Sequence, residues 1–376
     1  AASDTTAEAT EGSDSAQGEA SGTQEMTFVL SNEPDGLDPG ITNNSFAQYV
    51  LANCFEGLVT YNQDGEVVGG SAENWDVSDD GTVYTFHLRD GLKWSDGSDL
   101  TASDFVYSIQ RVLTPETGGM YVDIVKSYIL NADEYYAGEA TEEDLGVKAI
   151  DDQTLEITLK QPTSFFIDLL TMWVFDPVQQ ETIEANGDSW TTSGETYICN
   201  GPFKVSEMNM GENVVLVKNE NYWDADNVTM EKVTLRYILD TSTALTAYES
   251  GEVDGIRSIP SSDYARLKAE NAGVNVVPNY GTVYYNINCG KEPYDDPLVR
   301  KALNLAVDRE NIINNVVQVD ATPAYNFLAP GYVVDGEDMM DGVSDRGLSA
   351  TADVEAAQEA LAEAGYPNGE GFPTLE

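Results

Sequence analysis

The sequence predicts a mixed α/β fold. Three observations carry that prediction: segments in which apolar and polar residues alternate, segments in which apolar residues recur at helical spacing, and interleaving of the two along the chain with no internal repeat. At 376 residues, 41% of them hydrophobic, the chain can bury a sizeable core and is long enough for two or more domains.

Taken in order, Met26 to Leu30 reads as a first strand that stops at Asn32 and Pro34. Phe46, Val50, Leu51, Cys54 and Phe55 then fall on one helical face, closed by Gly57. Asp80-Gly81 marks a hairpin turn, followed by Tyr84, Phe86 and Leu88 on one strand face. After a second turn at Asp96-Gly97, Thr101 and Asp104 form a capping-box start for a helix carrying Phe105, Val106, Ile109, Val112 and Leu113. That helix ends before Thr114-Pro115. A β pair is expected at Val147 to Ile150 and Leu155 to Leu159, then an apolar run at Phe165 to Leu170. Strands follow at Gly201 to Glu207, Asn213 to Lys218 and Val233 to Ile238, and a helix at Ser242 to Ser250 ends on Gly251. Val276, Tyr280, Val283 and Tyr285 predict another β region. From Asp296-Pro297 the pattern turns helical, with Leu298, Val299, Ala302, Leu303 and Ala306 on one face and a restart at Asp308. A last helix runs from about Ala352 to Ala364, stopped by Gly365 and Pro367. The closing GFPTLE has the alternation of an opening strand, so the chain is expected to continue beyond it.

Charge excludes one class of function. The 66 acidic and 18 basic residues give a net charge of −48, and no Lys or Arg precedes Arg89. Nucleic-acid binding needs clustered Lys and Arg to neutralise phosphates, so it is not the role of this chain. No run of about 18 apolar residues is present, and the start lacks the basic and apolar regions of a signal peptide. Residues 1–24 are built almost wholly from Ala, Ser, Thr, Gly, Asp and Glu, a composition that cannot bury enough apolar surface to offset ordering entropy. They read as a disordered acidic tether, with an ordinary floppy terminus as the alternative. Cys54, Cys199 and Cys289 form neither a disulfide framework nor a zinc pattern and read as buried, inert thiols.

Catalysis finds little support. His87 is the single histidine and sits in a strand, where a partly buried structural imidazole is the expected role. There is no GxSxG elbow, HExxH pair or Walker A loop, and with 66 acids no carboxylate pair is singled out. Clusters such as Glu142-Glu143-Asp144 and Asp151-Asp152 lack the alternation and Gly of a calcium loop, so no metal site is expected. The 20 tyrosines, among them Tyr121, Tyr135, Tyr136, Tyr280, Tyr284 and Tyr285, are more suggestive. Each offers apolar area with one hydrogen-bonding tip, which suits a cleft for varied ligands, though half-buried strand positions explain any single one.

Residues 72–111, AENWDVSDDGTVYTFHLRDGLKWSDGSDLTASDFVYSIQR, resemble the signature block of the peptide- and nickel-type extracellular solute-binding proteins, family 5. EPDGLDP, FEGL, NGPFKV, NENYWD, SGEVD and VRKALNLAVDRENI surround it in the family's order. DLGVKAIDDQTLEITLKQPTSFFIDLL and YYNIN are similar to the oligopeptide-binding branch. The resemblance implies a two-lobed periplasmic-binding-protein-like clamp (type II) with an extra domain inserted in the first lobe. Residues 25–54 and 176–278 would form lobe I, 55–175 its insert, and 279–376 the beginning of an incomplete lobe II. It further implies capture of oligopeptides through their backbone and delivery to the permease subunits of an ABC importer, with no catalysis, metal or cofactor. The protein would be a monomer outside the cytoplasm, held to the membrane by a lipid anchor upstream of the chain. The resemblance, ungapped from LDP to FEGL, places Thr42, Asn43, Asn44 and Ser45 at the family's ligand-contacting loop; the segment after the signature helix places Tyr121 at a cleft-facing tyrosine, and the strand entering the second lobe offers Tyr280 and Tyr284. Asn43 stands where a relative carries a carboxylate, and Gly281 replaces a cysteine that bridges the lobe in some relatives. The acidic partner of the peptide N-terminus would lie beyond Glu376, so this chain alone is expected to bind peptide weakly or not at all. Alternatives within the family are a receptor for nickel, haem or oligosaccharide, and a peptide sensor serving signalling.

Overall fold

The computed structural model describes residues 24–270, 272–277, 280–334, 337–343 and 345–374. The chain divides between Ser258 and Ile259 into two units.

In the first unit, strand β1 (Glu25–Leu30) leads through a long loop to helix α1 (Gln48–Cys54). Strands β2 (Val59–Tyr61), β3 (Val67–Gly69), β4 (Ala72–Val77) and β5 (Val83–Leu88) follow, then helices α2 (Ala102–Val112), α3 (Val122–Tyr128) and α4 (Ala132–Tyr136). The hairpin β6 (Val147–Asp151) and β7 (Thr154–Thr158) precedes helices α5 (Phe166–Leu169) and α6 (Gln180–Asn186). Strands β8 (Phe203–Asn209), β9 (Asn213–Lys218) and β10 (Lys232–Tyr237), helix α7 (Thr241–Glu249) and strand β11 (Gly255–Ile256) complete it.

These strands form a five-stranded sheet ordered β11-β1-β10-β9-β8, a four-stranded antiparallel sheet ordered β4-β5-β7-β6, and the β2-β3 pair. In the larger sheet β1 runs parallel to both β10 and β11, while β9 pairs antiparallel with β10 and β8. One hydrophobic cluster spans both sheets, joining Leu30, Leu216 and Leu235 to Phe86, Leu155, Ile157 and the α2 residues Phe105 and Ile109. β1 is buried on both faces, because Leu30 enters that cluster while Val29 packs with Ala244, Ala247 and Val253 on the other side. That is why its last three residues, Phe28, Val29 and Leu30, are all apolar rather than alternating. The capping box is in place: Asp104 Oδ2 accepts from the Thr101 backbone N–H at 2.8 Å. Tyr84, Phe86 and Leu88 are buried on one face of β5, as their alternation predicted. His87, on the opposite face, is half-buried and lies 2.9 Å from Asp76 Oδ2.

In the second unit, helices α8 (Ser261–Ala269), α9 (Pro297–Leu305) and α10 (Arg309–Asn311) precede the two-stranded β12 (Val333–Val334) and β13 (Glu337–Asp338) and helix α11 (Val354–Glu363). Val299, Ala302 and Leu305 of α9 pack against Ala357 and Ala360 of α11, and the Asp353 N–H donates to Leu305 O at 2.9 Å. Asp296 and Asp308 cap their helices as the sequence predicts, accepting from the backbone N–H groups of Leu298 and Asn311.

Several expectations need correction. The described residues among 272–288 contain no strand, although Val276, Tyr280, Val283 and Tyr285 alternate; Val283 is 100% exposed. Alternation makes a segment competent for a sheet, but a strand needs a ladder with a neighbouring strand, and among the described residues no sheet includes this segment. Cys289, next to that segment, is exposed for the same reason, while Cys54 and Cys199 are buried. On α9 the inward residue is Leu305, and Ala306 is exposed. Residues 371–374 form no strand. Of the tether, residues 1–23 lie outside the described residues, whereas the Gln24 carbonyl accepts from the Glu231 N–H at 2.8 Å.

Candidate functional site

β1, β10 and β11 run in one direction and end at Leu30, Tyr237 and Ile256. Open sheets with parallel strands bind ligands outside the carboxyl ends of those strands. The loop from Ser31 to Ala47 leaves from that edge and carries Thr42, Asn43, Asn44 and Ser45.

Asp38 holds the loop. It is 7% exposed, and its Oδ1 accepts from the Gly40 N–H and from Arg111 Nη1, both at 2.9 Å. Its Oδ2 accepts from Arg111 Nη2 at 2.5 Å and from Trp190 Nε1 at 3.1 Å. The bidentate pair to a helix α2 arginine satisfies a charge that would otherwise be costly to bury. Its own carbonyl accepts from the N–H groups of Ile41 and Thr42, which turns the chain. Thr42 is buried, its hydroxyl accepts from the Asn44 N–H at 3.1 Å, and Asn44 Oδ1 accepts from the Phe46 N–H at 2.8 Å. Asn43 and Ser45 are exposed, and their side chains make no hydrogen bond among the described residues. The loop therefore ties itself down through Asp38, Thr42 and Asn44 and presents two open polar side chains.

Tyr121 joins this loop through its backbone neighbours. The Met120 N–H donates to Ile41 O at 3.1 Å, and a Cβ at Gly119 would stand 2.5 Å from Gly40 O, an approach only glycine permits. The Tyr121 ring packs on Trp173 with centroids 5.7 Å apart. Trp173 Nε1 donates to Thr42 O at 2.9 Å, so the indole connects the tyrosine to the loop. Sequence reasoning missed Trp173. Its signal was an indole, with a donor that must find a partner, set directly after an apolar run in TMWVF.

Tyr280 and Tyr284 belong to the second unit. There Tyr280 packs on Tyr332 with centroids 5.6 Å apart, and the Tyr332 hydroxyl donates to Tyr280 O at 2.8 Å. Tyr284 meets Phe327 edge-on at 4.8 Å. The predicted residues thus form two groups, one in each unit.

A second polar cluster joins distant landmarks of the sequence. Glu56, from FEGL, is buried; its carboxylate accepts from Trp223 Nε1 at 2.7 Å and from the Tyr222 hydroxyl, both of NENYWD. Asn200, from NGPF, donates to Glu56 O at 2.7 Å and accepts from the Glu56 N–H at 3.1 Å. The Arg89 guanidinium lies 3.7 Å from the Trp223 ring centroid. Burial raises the Glu56 carboxyl above its usual range against these two donors. Asp176 is pushed well above the usual range by burial and then by the Glu56 charge. Every bond here is directed inward, so the cluster stitches the fold together. Among the described residues no group of three or more His, Cys, Asp or Glu could hold a metal ion, and no helix is long and apolar enough to cross a membrane.

The sequence profile of the bacterial extracellular solute-binding proteins, family 5 Middle, matches residues 66–375. The chain is 37% identical over 346 residues to the periplasmic oligopeptide-binding protein OppA of Salmonella typhimurium, covering 91% of this chain and 63% of that one. It is 36% identical over 301 residues to the probable deoxycholate-binding periplasmic protein YgiS of Escherichia coli, covering 80% and 56%. The crystal structure of the periplasmic oligopeptide-binding protein OppAIV of Borrelia burgdorferi superposes with a TM-score of 0.80 at 35% identity, over 94% of this chain and 69% of that one. This chain spans under two thirds of the length of the curated relatives it matches. Profile, sequence and fold agree that the chain belongs to the bacterial extracellular solute-binding proteins of family 5.

Proposed function

We propose that this chain captures oligopeptides outside the cytoplasm as the substrate-binding component of an ABC importer and passes them to the permease subunits without chemical change. The observation that carries this reading is the loop at the carboxyl edge of β1. It is rigidly held by Asp38 and Thr42, yet leaves Asn43 and Ser45 open beside the Tyr121–Trp173 pair. Peptides of many sequences share only a backbone and termini, so a general receptor needs fixed polar groups for the backbone and adaptable, hydrated space for side chains. Similarity to a protein named for oligopeptide binding supports the ligand class. Thr42, Asn43, Asn44, Ser45 and Tyr121, with Tyr280 and Tyr284 from the second unit, are the contacts in this proposal. So are a monomeric state, a lipid anchor upstream, and the division into 25–54 with 176–278, the insert 55–175, and 279–376.

A second ligand class has one observation in its favour, the 36% identity to a protein named for deoxycholate. Calorimetry on the full-length protein separates the two. A pool of random tri- to pentapeptides is titrated beside deoxycholate, nickel, haem and cello-oligosaccharides. Heat with the peptides alone is expected; heat with any other ligand and none with peptides would overturn the reading.

A further inference from the structure

Arg89, Arg300 and Arg309 form no ion pair among the described residues, yet each donates from an Nη nitrogen to a backbone carbonyl. Arg111 and Arg236 are paired with Asp38 and Glu252. Arg257 is not: it forms no ion pair among the described residues, and neither of its Nη nitrogens donates a hydrogen bond there.

Its position is well defined. Arg257 directly follows β11, and its backbone N–H donates to Val29 O at 3.0 Å, which extends the parallel ladder at the edge described above. The exposed side chain turns towards the start of α1, which follows the loop, and Nε donates to the Tyr49 hydroxyl at 2.9 Å. Its Cζ lies 4.5 Å from the Phe46 ring centroid and 5.6 Å from that of Tyr49. Tyr49 is in turn stacked on Phe28 at 5.9 Å. Phe46 follows Ser45 directly, so the guanidinium sits beside the open end of the candidate loop. One donor is anchored, two aromatic rings hold the plane, and the Nη edge remains free. An arginine held this way is preorganised to grip a carboxylate with two parallel hydrogen bonds.

We propose that Arg257 forms a carboxylate subsite of the ligand site and selects peptides bearing a carboxylate near the Thr42–Ser45 loop. That carboxylate is either an acidic side chain or the peptide C-terminus. The inference rests on the peptide reading above.

Four tripeptides separate the sources: Ala-Glu-Ala and Ala-Gln-Ala, each as free acid and as C-terminal amide. They are titrated into the full-length wild type, Arg257→Gln and Arg257→Lys. The wild type is expected to favour the carboxylate member of one pair by about tenfold or more, the scale of one charge-assisted hydrogen bond. A Glu-over-Gln preference assigns the side chain, and an acid-over-amide preference assigns the C-terminus. The preference falls below about twofold in Arg257→Gln, persists in part in Arg257→Lys, and weakens with added salt. Peptide binding with no preference in the wild type, or with one that survives Arg257→Gln, overturns the subsite while leaving the peptide reading intact. Absence of binding by all four peptides, and by a random peptide pool, overturns both.

Discussion

Removing the Asp38 carboxylate tests whether the candidate loop is held as described. The Asp38–Arg111 pair is enclosed, with side-chain exposures of 10% and 13%. Asp38→Ala leaves the guanidinium in place with no anion. Stranding one partner of a buried pair costs about 3–5 kcal/mol. The Trp190 Nε1 and Gly40 N–H groups also lose their acceptor, at about 1 kcal/mol each. Water entering the space offsets part of this, so a loss of about 4–6 kcal/mol is expected. Arg111→Met in the same chain removes the stranded charge, and the double variant should recover about 2–4 kcal/mol relative to the sum of the single effects. Urea unfolding followed by tryptophan fluorescence suits the measurement, because all 5 tryptophans (Trp75, Trp94, Trp173, Trp190 and Trp223) precede Ser258 and report on the first unit. A loss below about 1.5 kcal/mol for Asp38→Ala, or single effects that add within about 0.5 kcal/mol, would refute the argument that this buried pair anchors the loop.

Three further outcomes are expected. Trp173→Phe keeps the ring packing on Tyr121 but deletes the donor to Thr42 O, so stability should fall by about 1 kcal/mol in urea unfolding followed by circular dichroism; peptide affinity should fall with it. Asp176 is raised in the folded state, so it binds its proton more tightly there than in the unfolded chain. Its contribution to stability is present below the ordinary carboxylate range and is lost as pH rises through the folded-state value. Asp176→Asn should therefore raise the melting temperature at pH 7 and flatten its decline with pH, and melting curves at pH 4, 6 and 8 check both. A thiol reagent should label Cys289 in the native protein and Cys54 and Cys199 only after unfolding, read by mass spectrometry of the labelled peptides.

The strands and helices of the first unit were legible because each has a local cause. β5 alternates at period 2 and is half-covered by one core, and α2 has both a capping box and an apolar face. The loop at Thr42–Ser45 was nominated for another reason: the resemblance to the family runs without a gap between two landmarks, LDP and FEGL. Trp173 was not legible, because its hydrogen bond to Thr42 O joins residues 131 apart in sequence. Val276 to Tyr285 misled, since alternation reports competence to pair and says nothing about whether a partner is present.

The sequence by itself determined the mixed α/β class, the acidic charge and the family landmarks, and it offered the residues of the candidate loop through the family resemblance. The class and the charge are properties of short segments or of composition, and local physics suffices for them. Only the tertiary structure decided that Asp38, Arg111 and Trp190 lock that loop, that Trp173 ties Tyr121 to it, and that Arg257 stands beside it with no ion pair among the described residues. Each of those depends on backbone segments dozens to hundreds of residues apart meeting within hydrogen-bonding range. No periodicity encodes such meetings, because they are set by how two sheets and their helices share one core.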